Sequence, residues 1–564
     1  MTSLGEQTWF RSGNRSLEGW VHRPDNGRAV GAIVIAGELA WERMVTYRAL
    51  RVLAISAAQR GWVVVRFNWT GVGDSGPLQP GSDLVKLWRE DLAAAVDLAR
   101  TVSGIAEVDA IGLRVGASML ASAADVPIRT RLLWEPIGGR AFMRRQSVLL
   151  GVNLPADFPQ SPDGTELCGA WLDDAQAASL CGLPDAAVLD ASALPDGATV
   201  VLEENRKTAE ELYERHPWWA KVPIESEHAL LDRLTLVTPA ALPSWEPERV
   251  SVIRDPDTGV AIRRTLLEVG PNHLPGILTE RANGPRAEAA VLLVPGGSEL
   301  RNAISVHERS ARWLAARGVP SLRADRRAVG DGATADELSE PRRANATGVK
   351  DVAELAAFLA RETHAPVTAM GTCAGAWLEA RAAASTGLVH RLIMVNNATW
   401  GVVLDRQERL VEDRVKREPN DQPKANRPKP GRLAFIRSGG RASYRFPYWA
   451  GYFVRKWFGI GEHAELLLRT IPSTTPLALY LGDSDWEGFV VARGKRALQR
   501  MISRGKDMRI QVDSRLDHSL MSRASSDAYV EILEREFADV VQIPLAQRGT
   551  QEGDANSRVE PPPG

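Results

Sequence analysis

A constant shift along this chain carries one segment after another onto a second copy of itself. Thr8-Trp-Phe-Arg-Ser-Gly13, followed by Leu17 and Gly19, recurs as Thr265-Leu-Leu-Glu-Val-Gly270, followed by Leu274 and Gly276. The same shift lays Gly61-Trp-Val-Val-Val-Arg66 on Gly318-Val-Pro-Ser-Leu-Arg323, and Val72-Gly73-Asp74 on Val329-Gly330-Asp331. With a slight drift, as a short loop insertion produces, Gly112-Leu-Arg-Val-Gly116 falls on Gly371-Thr-Cys-Ala-Gly375. A period this long is a domain duplication and not a solenoid repeat. The linker-like punctuation between Pro239 and Pro256 divides a first domain, 1–245, from a second, 246–543. The polar run 544–564, ending in Pro561-Pro-Pro-Gly564, predicts a disordered tail.

Within each copy short apolar runs alternate with longer amphipathic stretches. In the second, Ala290–Val294 reads as a buried strand, Val306–Arg317 as a helix with Ala311, Leu314 and Ala315 on one face, and Val319–Arg323 as the next strand. Val349–Arg361 is again helical, Val367–Met370 a strand, and a small-residue helix follows from Ala374. Strand and helix in alternation imply an α/β class, with mostly parallel sheets covered by helices on both faces.

Composition narrows the function. The 564 residues carry 69 Lys and Arg against 70 Asp and Glu, a balance that argues against a nucleic-acid binder. The three cysteines, Cys168, Cys181 and Cys373, are too few and too scattered for a disulfide framework and point to a reducing, cytoplasmic setting. The first residues lack the pattern of a signal peptide, and no apolar run approaches the ~20 residues that span a bilayer. No cluster has metal-ligand spacing and no glycine-rich phosphate loop follows a strand, so neither metal nor cofactor is expected.

The segment richest in chemistry is Met370-Gly-Thr-Cys-Ala-Gly-Ala376, between a strand and a helix. This is the setting of a nucleophile elbow, with cysteine where serine is usual. A thiolate is a strong acyl nucleophile once a histidine or helix N-terminus lowers its pKa, although an isolated cysteine is more often a small buried hydrophobe. In such a fold the acid and then the histidine follow the nucleophile in sequence. His518, in Leu516-Asp-His-Ser-Leu520 before a terminal amphipathic helix, is the expected base; His390, just before an apolar strand, reads as structural. The strand Pro476–Leu481 ends in Gly482-Asp-Ser-Asp485, where Asp485 is preferred to Asp483 as the acid and the other serves a turn. The backbone N–H of Ala374 and a donor from Gly296-Gly297-Ser298, of which Gly297 and Ser298 are the candidates, would form the oxyanion hole.

The first copy keeps the elbow glycines but puts Arg114 at the tip. An arginine is always protonated and cannot be an acyl nucleophile, so this domain is expected to be non-catalytic, with Arg114 either binding an anionic part of a substrate or forming a structural ion pair. In the second copy an insertion over about 397–475 has the length of a cap over an active site. Its stretch Gln422–Lys456 is rich in Lys and Arg, lacks Asp and Glu, and interleaves Tyr444, Tyr448, Trp449 and Phe453. It would suit an anionic, partly apolar substrate or a membrane surface, or it is a solvated loop with a packed helix. Arg445 and Trp449 are the candidate substrate contacts there.

These residues resemble a known family. Both halves are similar to α/β-hydrolases of the serine-aminopeptidase-like group, and in particular to the paired hydrolases associated with exosortase A systems in polysaccharide-producing bacteria. The second half resembles the type 1 protein through Gly371-Thr-Cys-Ala374, Tyr444-Arg-Phe-Pro-Tyr-Trp-Ala450 leading to Arg455-Lys456, Gly482-x-x-Asp485-x-x-x-Phe489 and Asp517-His518-Ser519. The first half resembles the type 2 protein through Gly112-Leu-Arg-Val-Gly-Ala117, Leu133-Trp-Glu-Pro-Ile137 and Glu166-Leu-Cys-Gly-Ala170. The resemblance implies two tandem α/β-hydrolase domains, the second with the inserted cap. The expected function is an acyl hydrolase of a small ester or thioester, acting through Cys373, His518 and Asp485. An acyltransferase using the same acyl-cysteine, and a non-catalytic scaffold in which both elbows are inert, are the rival expectations.

Overall fold

The computed structural model describes residues 5–540 apart from 156, 160, 162, 215–219, 297–304, 333–345, 398 and 402–462. The first copy supplies β1 (Glu6–Ser12), β2 (Arg15–His22), β3 (Arg28–Ala29), β4 (Gly31–Ala36), β5 (Trp62–Phe67), β6 (Val108–Leu113), β7 (Arg131–Trp134), β8 (Thr165–Leu167), β9 (Ala170–Leu172), β10 (Ala198–Val201) and β11 (Ala240–Ala241). Its main sheet runs β1-β2-β5-β4-β6-β7-β10, antiparallel as far as β5 and parallel beyond it. The short β3 and β11 pair with each other, as do β8 and β9.

The second copy supplies β12 (Val250–Arg254), β13 (Ala261–Val269), β14 (Leu274–Arg281), β15 (Ala290–Val294), β16 (Ser321–Ala324), β17 (Val367–Thr372), β18 (Val389–Val395), β19 (Leu477–Leu481) and β20 (Met508–Val512). Its sheet runs β12-β13-β14-β16-β15-β17-β18-β19-β20. Stripped of β12 and β20, this is the order of the first sheet, strand for strand. Both have the α/β-hydrolase arrangement, in which β15 feeds a helix, crosses out to β16 and returns past itself to β17. The central strands β4, β15 and β17 are buried along their whole length, as apolar strands covered on both faces must be.

The missing strand matters for chemistry. After β10 the described residues of the first copy hold no counterpart of β20; its chain runs through the helix Ile224–Asp232 and returns to pair β11 with β3. Among the described residues, the first domain therefore shows no equivalent of the sheet edge that carries the histidine loop of the second.

The two domains meet through reciprocal ion pairs. Arg66 of the first domain binds Asp331 of the second at 2.9 Å, and Arg323 of the second binds Asp74 of the first at 2.6 Å. Arg66 and Arg323, like Asp74 and Asp331, are equivalent positions of the repeat, so the contact has the self-complementary character of a two-fold interface. Trp9 and Leu266, also equivalent, touch in one small buried cluster with Ile277, and the guanidinium of Arg264 stacks on Trp9 at 4.2 Å. Among the described residues no helix is long and apolar enough to cross a membrane.

Candidate active site

Strand β17 ends at Thr372 and a helix, Ala374–Thr386, begins two residues later, so Cys373 alone makes the turn. It adopts φ 49° and ψ −118°, a conformation that costs a non-glycine residue roughly 1–3 kcal/mol. Its N–H is tied to Val395 O at 3.0 Å. The turn leaves no room beside it: a Cβ on Gly375 would stand 2.3 Å from Val294 O, and one on Gly371 2.7 Å from Ala376 N. Gly375→Ala is expected to destabilise the protein by about 3 kcal/mol and to displace Cys373, measured by chemical denaturation and by the rate of Cys373 alkylation.

His518 lies on the loop between β20 and the terminal helix Arg523–Glu536. The loop is held by Asp517, whose carboxylate accepts from the backbone N–H of Ser519, Met521 and Ser522 and from the hydroxyls of Ser522 and Ser525. Ser522 in turn caps the helix, accepting from Ser525 N. Asp517, adjacent in sequence to the histidine, is thus fully engaged in loop structure.

The acid comes from the next strand. His518 Nδ1 lies 2.9 Å from Asp485 Oδ1 and 3.1 Å from Oδ2, leaving Nε2 for the hydrogen bond with Cys373. Asp485 is buried; Asp483 is exposed at the first position of the same helix, Asp483–Val491. The sequence reading gives Asp483 a turn; both aspartates lie instead in the first turn of that helix, whose period turns one carboxylate inward and the other outward. Electrostatic interaction with Cys373, outweighing burial and supported by the Asp485 hydrogen bond, holds the His518 imidazole well above its usual range. The cysteine, histidine and aspartate are therefore brought together. Ala374 opens the elbow helix, so its N–H has no intrahelical acceptor.

Two neighbours of this site escaped the sequence reading. Asn396, fully buried with φ 50° just beyond β18, donates to Asp517 O at 2.7 Å and accepts from Gly482 N at 2.8 Å, joining the histidine loop to the acid loop. The only sequence signal was an Asn directly after an apolar strand. Glu379, on the elbow helix, is wholly buried and burial pushes its carboxyl well above the usual range. A carboxyl protonated when folded and ionised when unfolded takes up a proton on folding, so its contribution falls as pH rises above the unfolded value near 4.5. Glu379→Gln is expected to gain stability over wild type as pH rises from 5 toward 8, with a slope of at most about 1.4 kcal/mol per pH unit, read from paired denaturation curves.

In the first domain Arg114 occupies the elbow with φ 52° and ψ −115°, the same conformation as Cys373. Its N–H bonds Trp134 O as Cys373 N–H bonds Val395 O. The side chain is not brought to Cys373. It forms a buried ion pair with Glu42 at 3.0 Å, shared with Arg145 at 3.2 Å, and stacks on Tyr213 at 4.1 Å. Glu38, buried and with its carboxyl pushed well up by burial and by Glu42, lies beside the N–H of Val115, the counterpart of Ala374. Of the two roles expected for Arg114, the geometry shows the ion pair. Glu135 (φ 48°) stands where Asn396 stands, and its carboxylate accepts from Glu203 N as Asn396 accepts from Gly482 N. Gly297, Ser298, Arg445, Trp449 and the basic stretch Gln422–Lys456 lie outside the described residues; of the expected cap, the helix Ala464–Thr470 is described.

No family model and no curated protein matches the chain. Solved structures do match over about half of it. Among them are a dienelactone hydrolase from Anabaena variabilis, 14% identical over 52% of this chain and 100% of that one with a TM-score of 0.32, and a carboxyl esterase from Bacillus coagulans, 12% identical over 50% and 99% with a TM-score of 0.32. An esterase from Pyrococcus furiosus matches at 13% identity over 52% and 100%, also with a TM-score of 0.32.

Proposed function

We propose that the second domain hydrolyses a small carboxylic ester or thioester through an acyl-cysteine, and that the first is a pseudo-hydrolase. The observation that carries this reading is Cys373 on a strained elbow, hydrogen-bonded to a histidine whose other nitrogen is held by a buried aspartate. Sγ of Cys373 attacks the carbonyl carbon while its proton rests on His518 Nε2; the oxyanion that forms is met by the Ala374 N–H. The carbon–oxygen or carbon–sulfur bond of the leaving group breaks, and the imidazolium returns its proton to the departing alcohol or thiol. Water, deprotonated by His518, then attacks the thioester of Cys373, releasing the carboxylic acid and restoring the thiol. Asp485 keeps Nδ1 protonated, which fixes the tautomer. An alcohol or amine in place of water would give transfer by the same steps. The resemblance to exosortase-associated hydrolases would place the acceptor or substrate in polysaccharide or cell-surface chemistry.

The three cysteines test the nucleophile. Cys168 is fully buried and burial pushes its thiol up to about 12. Iodoacetamide at neutral pH is expected to label Cys373 first and leave Cys168 intact, as read by peptide mass spectrometry. Equal labelling of Cys373 and Cys181 would count against an activated thiol.

The raised pKa of His518 also sets a pH profile. The imidazolium must be present to protonate the leaving group, so the alkaline limb of kcat/KM should lie above the ordinary histidine range, and Asp485→Asn should move it downward.

A further inference from the structure

We infer that the hairpin of β8 and β9 in the first domain is a positioning element for the histidine of the second, an inference that rests on the acyl-cysteine reading above. This hairpin contains Glu166-Leu-Cys-Gly-Ala170, a motif that no step of the reaction uses. Its tip is docked on the loop that carries His518. Gly169, in a φ of 90° open to glycine, donates its N–H to Met521 O at 3.0 Å. Cys168 is buried in one cluster with Leu516, Leu520 and Met521, and feels the charge of Asp517. Trp171 lies under the guanidinium of Arg523 at 4.0 Å, and Arg523 also reaches Ser161 Oγ at 3.0 Å. Glu166 lies beside the backbone N–H of Arg523.

The loop has reason to need a support. Between Leu516 and Arg523 the backbone includes Leu520 at φ 55°, a conformation that branched side chains adopt at a cost. Asp517 binds the loop from within. Asn396 binds it from the strand side, and the hairpin closes the remaining side. A cleft of about 350 Å³ runs beside this contact, lined by Arg43 and Trp171 from the first domain and by Arg309, Leu520 and Ser522 from the second, so the hairpin grips the loop at one wall and does not fill the space around it. The first domain, unable to do acyl chemistry itself, acts on that of its neighbour by holding the base in register with the nucleophile. A shift of the base of about 1 Å is enough to lower a rate by as much as ~100-fold.

The test uses the full chain. Trp171 is only partly buried, so Trp171→Ala should fold; Arg523→Gln removes the same contact from the other domain, and Trp171→Tyr keeps an aromatic face. Two readouts are taken: hydrolysis of a p-nitrophenyl ester, and the rate of Cys373 alkylation by iodoacetamide against pH, which reports the Cys373–His518 couple without turnover. Trp171→Ala and Arg523→Gln should each lower kcat about tenfold at nearly unchanged KM and move the alkylation profile to higher pH. The double variant should be no worse than either single, and Trp171→Tyr should recover most of both effects. Alkylation profiles that superimpose on wild type in both single variants would overturn the positioning role, even where turnover falls. Loss of turnover in the wild type would instead strike the acyl-cysteine reading, and the alkylation profiles would still decide the hairpin's part.

Discussion

Turnover of a short-chain ester is expected to fall by roughly 10⁴–10⁶-fold in Cys373→Ala, and by a comparable factor in His518→Ala, with the double variant hardly worse than either. The expectation follows from the chemistry: without Sγ no acyl intermediate can form, and without the imidazole no group takes the thiol proton or returns it to the leaving group. The elbow N–H of Ala374 survives both changes, so a small residual rate should remain. The two aspartates divide sharply. Asp485→Asn removes the acceptor that fixes the His518 tautomer and should cost roughly 10²–10⁴ in kcat, whereas Asp483→Asn, exposed on the outer side of the same helical turn, should leave kcat unchanged. Steady-state kinetics of the four variants read these differences directly. A rate in Cys373→Ala within tenfold of wild type would assign the chemistry to another group.

The largest effect on stability is expected at the domain interface. Asp74 and Arg323 are both almost completely buried, so Arg323→Met takes one of its charge partners, the ion-paired guanidinium, from a carboxylate in a low-dielectric surround. Breaking such a pair from one side costs about 3–5 kcal/mol, far more than a surface ion pair. Replacing both partners, in Arg323→Met with Asp74→Leu, should recover most of the loss, because the cost lies in the orphaned charge more than in the pair itself. Denaturant unfolding followed by tryptophan fluorescence measures both, and a single-variant cost below about 1 kcal/mol would mean that water reaches this interface. The equivalent pair, Arg66 with Asp331, also receives the Tyr47 hydroxyl, so its aspartate keeps a second partner when the arginine is removed.

The repeat was the most legible feature, and the reason is physical. Arg66 and Arg323, or Asp74 and Asp331, keep their types because each is used by the other copy across the interface, and the glycines of both elbows persist because backbone stands within 3 Å of where a side chain would begin. Strands such as Ala290–Val294 were readable because burial on both faces leaves an unbroken apolar run. Cys373 and His518 could be proposed from flanking elements alone. Asp485 and Asp483 could be ranked but not separated, because whether a carboxylate points inward depends on the helix that begins at Asp483, and a Gly-Asp-Ser-Asp sequence reads equally well as a turn.

What could not be read was anything made by contacts between segments distant in sequence. The ion pair of Arg114 with Glu42 joins an elbow to the first helix of its domain, so the charge at the elbow looked available for an anion when it is already neutralised. The hydrogen bonds of Asn396 and the β8–β9 hairpin to the histidine loop end on backbone atoms, Asp517 O and Met521 O, which carry no side-chain signature. That the described residues of the first domain hold no equivalent of β20 is likewise a matter of topology, visible in its sequence only as the lack of a matching histidine context.

The acyl-cysteine is the central claim, and trapping it is the most direct test. The full-length protein is mixed with an activated short-chain acyl ester, quenched in acid within a second, and examined by intact-mass and peptide mass spectrometry. The account predicts one added acyl group per chain, mapped to the peptide that contains Cys373, absent from Cys373→Ala and chased to free acid when the quench is delayed. An adduct on Cys168 or Cys181, or none on a wild-type protein that turns the ester over, would contradict it.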